Sequence, residues 1–300
     1  MSHAHSHEHS QETSEKNLWI TMALNFSITL AEGIGGLISG SLSLVSDALH
    51  NFSDGVAIVV TTIALRLAKK PNTARHTFGL KRAEILAAIL NASTLIVISV
   101  FLIREAIDRF RHPEAIGGIL MLVVAGFGLL ANVLGTLLLK KGAQHNLNLR
   151  AAYFHLLSDA VSSLAVILGA LFIIFFDLYW IDPLLTVLIS LYILFETFGI
   201  VREAVEIVMM TAPDGIDLED LKNTLEALDD VCNVHHAHLW KLNDRDLHFE
   251  AHIEVADMPV SRTAQLAQRI EHQLHDRYEI THVTLQFECG ACARTDLIQK

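Results

Sequence analysis

The chain has 300 residues, of which 52% are hydrophobic and only 18% are charged, whereas about a quarter of an average soluble domain is charged. The apolar residues are concentrated between positions 18 and 210 and become sparse after that. From Thr211 to Lys300 there are 17 Asp and Glu against 8 Lys and Arg, which accounts for most of the formal net charge of −11. This acidity argues against nucleic acid as a partner and fits a module that handles cations or is simply soluble.

The first 17 residues are polar and lack the apolar core of a signal peptide. Histidines occupy alternate positions in this N-terminal tail, at His3, His5, His7 and His9. A His-rich tract predicts weak metal capture, and a disordered tail without an essential role is an equally open alternative.

Six apolar segments follow, each about as long as the 20 residues that a helix needs to cross a bilayer. They cover residues 18–38, 42–68, 83–104, 116–139, 151–176 and 180–207. A soluble protein would have to bury six wholly apolar helices in one small domain. We therefore predict an all-α bundle of six membrane helices over residues 18–210.

Basic residues in the connections predict the orientation of the bundle. The connection between spans 2 and 3 and the one between spans 4 and 5 carry nine of them: Arg66, Lys69, Lys70, Arg75, Lys81, Arg82, Lys140, Lys141 and Arg150. The connections after spans 1 and 5 carry none, although Arg109 and Arg111 lie between spans 3 and 4. Because basic loops stay inside, both termini are predicted to be cytoplasmic in a multi-pass membrane protein.

Two copies of one ionisable pair interrupt the apolar spans, in "SDALHNFSDG" (46–55) and "YFHLLSDAVSS" (153–163). His50 and Asp54 are four residues apart, as are His155 and Asp159, so each pair shares one helix face. A charge at this depth costs about 2.5–3.5 kcal/mol, which favours a functional role. Helical rise places both carboxylates about 12 Å above the inner boundary. Two imidazoles and two carboxylates fit a tetrahedral Zn²⁺ site.

The donor set also indicates which metals are expected. Imidazole with carboxylate favours Zn²⁺, followed by Cd²⁺ or Co²⁺, whereas a site made only of carboxylates would suit Mn²⁺, and the absence of thiolates from the spans argues against Cu(I). Asp47, three residues before His50, is expected either to orient that histidine or to make a polar packing contact. Five more polar residues lie in the spans and are expected to form interhelical hydrogen bonds, with a cavity lining as the alternative: Asn25, Glu32, Asn91, Asn132 and Glu196.

The polar part after residue 210 predicts an α+β domain over 211–290, followed by a short tail, 291–300. Helical patterns cover 217–228 and 261–278, and alternating patterns typical of strands cover 234–242, 247–255 and 281–287. The order α-β-β-α-β is that of a small ferredoxin-like or metallochaperone-like sheet. His272 and His275 lie on the second helix and are expected to face solvent.

Three cysteines, Cys232, Cys289 and Cys292, all fall in this polar part. An odd number argues against a full disulfide framework and favours a reducing compartment. Cys289 and Cys292 have the spacing of a metal-binding pair, with His282 or Glu288 as a further ligand, although two thiols alone are a weak signal.

The motifs "SDALHNFSD", "HLLSD", "RHTFGLKRAEILAA", "VHHAHLW" and "HVTLQF" together resemble the cation diffusion facilitator family, closest to its bacterial zinc, cadmium and cobalt efflux branch, over residues 17–290. The resemblance implies that His50, Asp54, His155 and Asp159 form the transport site. It also implies a homodimer in the bacterial inner (plasma) membrane and metal export driven by proton entry. The cytoplasmic domain would bind further zinc, structural or regulatory, and hold the dimer together.

The chain departs from the family pattern at two positions. His76 remains in the connection between spans 2 and 3, but Leu80 stands where some relatives carry a second histidine, which argues against a metal site there. His235 and His252 match family zinc ligands, and Gln286 replaces a family histidine while Glu288 keeps an acid. The cytoplasmic site is therefore expected to be altered or partial.

The resulting prediction is a secondary transporter, not an enzyme, whose partners are divalent metal ions, protons and the lipid bilayer, without an organic cofactor. Metal and protons would compete for the four ligands as the bundle alternates between inward-open and outward-open states. Two alternatives remain open: an intramembrane metalloenzyme, which would need an open coordination position and a general base, and a membrane-bound metal sensor.

Overall fold

A computed structural model describes residues 4–140, 143, 147–290 and 296–298, and within these ranges it describes side chains from Ile20 onward except at positions 147, 148 and 151. Its contacts divide the chain into two compact units, residues 1–60 with 90–199, and residues 61–89 with 200–300. Eight helices and three strands occur in the described part: α1 (Ala4–Ser39), α2 (Leu42–Ala68), α3 (Ala83–Arg111), α4 (Gly118–Leu139), α5 (Leu147–Phe176), α6 (Ile181–Val208), α7 (Leu218–Glu226), β1 (Asn233–Lys241), β2 (Leu247–Glu254), α8 (Val260–Tyr278) and β3 (His282–Glu288).

Six of these helices, α1 to α6, are long and apolar enough to cross a membrane, which confirms the predicted number of spans. Helix α3 continues seven residues beyond its predicted end at 104, because the charged residues there end the apolar run without ending the helix. Arg109 pairs with Glu105 on its own helix and with Glu114, at 3.8 Å and 3.5 Å, and donates a hydrogen bond to the Gly40 carbonyl. These contacts give Arg109 a structural role. They explain a basic residue between α3 and α4, on the side of the membrane where the positive-inside rule expects few of them.

Small residues allow the membrane helices of the first unit to approach closely. A Cβ added at Gly128 of α4 would lie 2.7 Å from Oε1 of Glu32 on α1, and one at Gly35 of α1 would lie 2.6 Å from Val124. The opposite faces carry large exposed apolar side chains, such as Phe195 at 82% and Leu37 at 77% exposure. Small and polar residues inside and apolar residues outside are the pattern of a bundle that faces lipid.

The start of α2, the helix that carries His50, is fixed by Asp182 in the first turn of α6. Its fully buried carboxylate accepts hydrogen bonds from the backbone N–H groups of Leu42 (2.7 Å) and Ser43 (3.2 Å) and from the hydroxyls of Ser41 and Ser43, both at 2.6 Å. These N–H groups have no partner within the helix, and their dipoles favour a negative charge. The carboxylate therefore anchors α2 to α6.

The C-terminal part of the second unit has the predicted α-β-β-α-β order. Strand β1 pairs with β2 antiparallel, and β2 pairs with β3 parallel, giving the sheet order β1-β2-β3. Phe249, Ala251 and Ile253 of β2 point into the core, as the alternation predicts. His248, which the same alternation places on the opposite face of β2, is also buried, at 4% exposure.

Strand β1 contains a bulge at the histidine-rich segment. The pairing with β2 shifts between His235 and His238, and His236 has a positive φ of 49°. The backbone N–H groups of His236 and Ala237 donate to the carbonyls of Asp296 (3.1 Å) and Leu297 (2.8 Å), so the end of the chain satisfies groups that the bulge leaves unpaired.

Candidate metal sites

The structure brings the two His-x-x-x-Asp pairs of α2 and α5 together. Nε2 of His155 lies 3.3 Å from Oδ2 of Asp54 and 3.6 Å from Oδ2 of Asp159, while Nε2 of His50 lies 3.5 Å from the same oxygen of Asp54. The two imidazole rings are 6.0 Å apart between centroids. Ligand atoms of His50, His155 and Asp159 all lie within 4.8 Å of one another, so one ion can contact them together.

Several ligand atoms of this cluster lack a hydrogen-bond partner within the described residues. Oδ2 of Asp54, Oδ2 of Asp159 and Nδ1 of His50 are buried and have no hydrogen-bond partner in the described part of the chain. Buried polar atoms without partners are costly, and a divalent cation would satisfy the two carboxylate oxygens. The side chain of Asp159 is 5% exposed and that of His155 is 38% exposed, so the protein encloses Asp159 while His155 stays partly exposed.

Asp47 lies one turn before His50 and is 2% exposed. Its Oδ1 accepts a hydrogen bond from Oγ of Ser162 on α5 at 3.2 Å. Because Nδ1 of His50 has no partner among the described residues, this structure does not show Asp47 orienting that histidine. The observed contact instead ties α2 to α5 beside the cluster, which is the packing alternative.

Two of the other polar residues make the interhelical hydrogen bonds that the sequence predicts. Nδ2 of Asn51 on α2 donates to Oε2 of Glu32 on α1 at 3.3 Å, and Oγ of Ser53 on α2 donates to Oδ1 of Asn91 on α3 at 3.4 Å. Both bonds involve residues that flank His50 and Asp54 along the helix. They therefore help to fix the rotation of α2 that presents the two candidate ligands.

For Glu196 the described residues show a hydrogen bond within one helix rather than between helices. Its carboxylate accepts from the hydroxyl of Tyr192 one turn earlier on α6, at 2.6 Å, because an i, i+4 partner is already within reach. The side-chain amide of Asn132 and Oδ1 of Asn25 are buried and have no hydrogen-bond partner within the described ranges.

A second cluster lies at the sheet of the C-terminal domain. His235 and His252 are direct neighbours on β1 and β2, and the carboxylate of Glu288 at the end of β3 lies 3.5 Å from Nε2 of His235 and 2.8 Å from Nδ1 of His252. Ligand atoms of all three residues lie within 4.8 Å of one another. Gln286, at the position of a family histidine, donates to Glu288 at 2.7 Å and so positions the acid.

His236 joins this second cluster, although the sequence did not single it out. The bulge turns its ring to 4.6 Å from that of His252, measured between centroids. His235 is fully buried and its Nδ1 lies 3.0 Å from Oδ1 of Asn233. That contact leaves Nε2 of His235 directed at Glu288, as a metal-binding imidazole requires.

The remaining candidates do not join either cluster in the described part of the chain. Cys289 is an exposed free thiol, and Cys292 lies outside the described residues. His76 is exposed, and its ring lies near Thr73, with Nδ1 3.5 Å from the hydroxyl, rather than near another candidate ligand. His3 and the side chains of the other N-terminal histidines also lie outside the described part.

Comparison with known proteins agrees with this architecture. Residues 18–209 match the model of the "Cation efflux transmembrane domain", and residues 213–289 match that of the "Cation efflux protein, cytoplasmic domain", whose short name, ZT_dimer, refers to dimer formation. The two matches together span both the membrane helices and the α+β domain. They confirm the resemblance and the fold class predicted from the sequence and support a homodimer.

Curated relatives align over nearly the whole chain. A "Cadmium, cobalt and zinc/H(+)-K(+) antiporter" of Bacillus velezensis is 36% identical, covering 96% of this chain and 92% of the relative. "Zinc transporter ZitB" of Escherichia coli is 36% identical, covering 99% and 95%. "Metal cation efflux system protein CzcD" of Cupriavidus metallidurans is 34% identical, covering 100% and 94%. All three are named as transporters or efflux proteins.

Proposed function

This chain belongs to the cation efflux family, and from that premise we propose that it is a proton-coupled antiporter that exports Zn²⁺ from the cytoplasm, with Cd²⁺ and Co²⁺ as further substrates. The name of the Bacillus relative includes all three metals and that of the Escherichia relative includes zinc. All three names describe transport or efflux, which argues against the intramembrane metalloenzyme. The family is one of secondary transporters, so no chemical step is required of the protein. The relatives' metals are also those that imidazole and carboxylate ligands favour.

His50, Asp54, His155 and Asp159 form the proposed transport site. The observation that carries this proposal is the position of His155, whose Nε2 lies within 3.6 Å of carboxylate oxygens from both α2 and α5. His50, His155 and Asp159 converge on one point, and Asp54 borders it through its 3.3 Å and 3.5 Å contacts with the two imidazoles. A Zn²⁺ ion with four protein ligands of nitrogen and oxygen is a common tetrahedral arrangement.

Protons and metal compete for this site in the proposed cycle. Zn²⁺ binds when the imidazoles are neutral and the carboxylates ionised, and protonation of the same groups removes the lone pairs that hold the ion. A bundle that opens alternately to the two sides would load metal from the cytoplasm and release it outside, where protons replace it. The protonated ligands would then return to the cytoplasmic side.

The C-terminal domain is proposed to lie in the cytoplasm with the N-terminus, in line with the basic residues between α2 and α3. His235, His252 and Glu288 would hold a further Zn²⁺ ion there, because two buried or half-buried imidazoles converge on one carboxylate. A homodimer joined through this domain agrees with the family model that it matches.

Zinc flux into proteoliposomes with a controlled pH gradient tests the proposal. The variant Asp159→Ala should lose flux by about 100-fold or more, because it removes a metal ligand and a proton acceptor together. Asp177→Ala, an exposed change between α5 and α6, is the matched control and should keep the wild-type rate. Normal gradient-driven flux in the Asp159 variant would overturn the assignment, and zinc binding without any vectorial flux in the wild type would favour the sensor.

A further inference from the structure

An apolar cavity of about 430 Å³ lies in the second unit, between the ends of two membrane helices and the edge of the C-terminal sheet. Leu67 near the end of α2 and Leu86 near the start of α3 line it from the membrane spans, and Trp240 and Leu242 line it from the sheet side. Cavities of this size accept small organic ligands or part of a larger one. The proposed transport site and the proposed C-terminal zinc site do not use this cavity.

The lining of this cavity is apolar, and several of its side chains are exposed. Leu86 is 64%, Met210 is 55% and Phe78 is 51% exposed, and all three face this cavity. Leu67 and Leu86 belong to spans that end on the side of the membrane where the C-terminal domain follows α6. The cavity is therefore at the level of the membrane boundary, where lipid chains are the apolar molecules available to fill it.

The cavity also has a cationic rim. Nζ of Lys81 lies 2.8 Å from Oδ2 of Asp246, so that charge already has a partner. Arg82 has no ion pair within the described ranges, and its buried Nε has no hydrogen-bond partner there. A guanidinium with unused donors beside an apolar cavity matches a phosphate that is joined to a hydrocarbon chain.

We propose that this cavity binds an anionic phospholipid, with one acyl chain against Leu67, Leu86 and Trp240 and the phosphate on Arg82. Basic pockets between membrane helices on the cytoplasmic side are typical sites for anionic headgroups. The indole of Trp240 suits such a boundary position, because it combines a large apolar ring with one polar N–H group. The lipid would hold the connection between α2 and α3 against the domain that carries Trp240.

Quenching of Trp240 fluorescence by brominated acyl chains tests this site in the full-length protein. Trp19→Phe and Trp180→Phe leave Trp240 as the single reporter, and the protein is placed in nanodiscs with brominated phosphatidylglycerol or brominated phosphatidylcholine. We expect quenching by both lipids with about tenfold tighter apparent binding of phosphatidylglycerol, because both carry a phosphate but the choline ammonium of phosphatidylcholine offsets the negative charge that Arg82 attracts. Arg82→Gln should abolish that preference, whereas Arg75→Gln, an exposed change in the same connection, should keep it.

A second variant keeps the test decisive if Arg82→Gln folds poorly. Leu86→Trp, made with Trp240→Phe, moves the reporter to the membrane wall of the cavity and should show the same lipid preference. Equal quenching by both lipids with either reporter overturns the proposal. Loss of the preference in excess inorganic phosphate would assign the rim to free phosphate instead. Quenching that appears only in nanodiscs loaded with a single chain would overturn the proposal and assign the cavity to a second copy of the chain.

Discussion

Nε2 of His155 on α5 lies 3.3 Å from Oδ2 of Asp54 on α2, so an imidazole of one membrane helix faces a carboxylate of another. The contact joins the two His-x-x-x-Asp pairs, which otherwise would be separate polar residues on separate helices. A proton on the imidazole or a metal ion between the two groups can balance the carboxylate, and the two states exclude each other. This exclusion is the physical basis of exchange between metal and protons.

The first prediction concerns His155 itself. His155→Ala removes the only one of the four side chains that lies within 3.6 Å of carboxylates from both helices, so zinc flux into proteoliposomes should fall by about 100-fold or more. His112→Ala is the control, because His112 also lies 3.5 Å from an aspartate one turn away, Asp108, but is exposed. A wild-type flux in His155→Ala would contradict the proposed site.

The second prediction concerns the anchor of α2. Asp182→Asn removes the negative charge and part of the acceptor capacity that hold Leu42, Ser43 and Ser41, so the free energy of unfolding should fall by about 1.5–3 kcal/mol. Thermal unfolding of the detergent-solubilised protein measures the change. Asp177→Asn, five residues earlier and exposed, should leave the midpoint of unfolding within the experimental error. An unchanged midpoint in Asp182→Asn would show that the hydroxyls and N–H groups find other acceptors.

Local patterns made the spans and the two metal pairs predictable. The length of an apolar run indicates a membrane helix, and a separation of four residues places His50 with Asp54 and His155 with Asp159 on one face without any knowledge of the fold. The α-β-β-α-β order was likewise readable from alternation and amphipathic spacing. The end of α3 could not be predicted in this way, because a helix can continue into water after the apolar run has ended.

Contacts between distant parts of the chain could not be predicted from the sequence alone. Asp182 and Ser43 are far apart in the chain. An acidic residue in the first turn of a helix is common, so Asp182 alone does not indicate a contact with α2. The bulge that turns His236 toward His252 depends on hydrogen bonds to Asp296 and Leu297 after the last strand. The i, i+4 pair of Tyr192 and Glu196 was readable and was nonetheless missed.

The third prediction concerns the zinc stoichiometry of the C-terminal cluster. In an Asp159→Ala background, which weakens the transport site, His252→Ala should lower tightly bound zinc by about one ion per chain, because it removes one of three converging ligands. Isothermal titration calorimetry or elemental analysis of the full-length protein gives the stoichiometry. Cys289→Ser is the control and should not change it, since Cys289 is exposed. The opposite pattern, with loss only in Cys289→Ser, would move the site to the thiols.

The fourth prediction is a pH dependence that arises at His248. Burial lowers the pKa of this histidine below its ordinary value of about 6.5, and the ring of His282, 4.6 Å away between centroids, acts in the same direction, as does Lys81. Asp246 opposes the shift. The neutral form is therefore favoured in the folded protein, while the unfolded chain takes up the proton at a higher pH.

The sign of the effect on stability follows from this difference. The folded state binds fewer protons than the unfolded state just below pH 6.5, so the contribution of His248 is complete above about pH 6.5 and is lost as the pH falls toward the lowered pKa. Thermal midpoints measured between about pH 7.5 and about pH 5.5 should fall less steeply in His248→Gln than in the wild type. His272→Gln, which changes a histidine with 79% side-chain exposure, should keep the wild-type slope. An equal slope in His248→Gln would mean that its proton uptake does not differ between the folded and unfolded states.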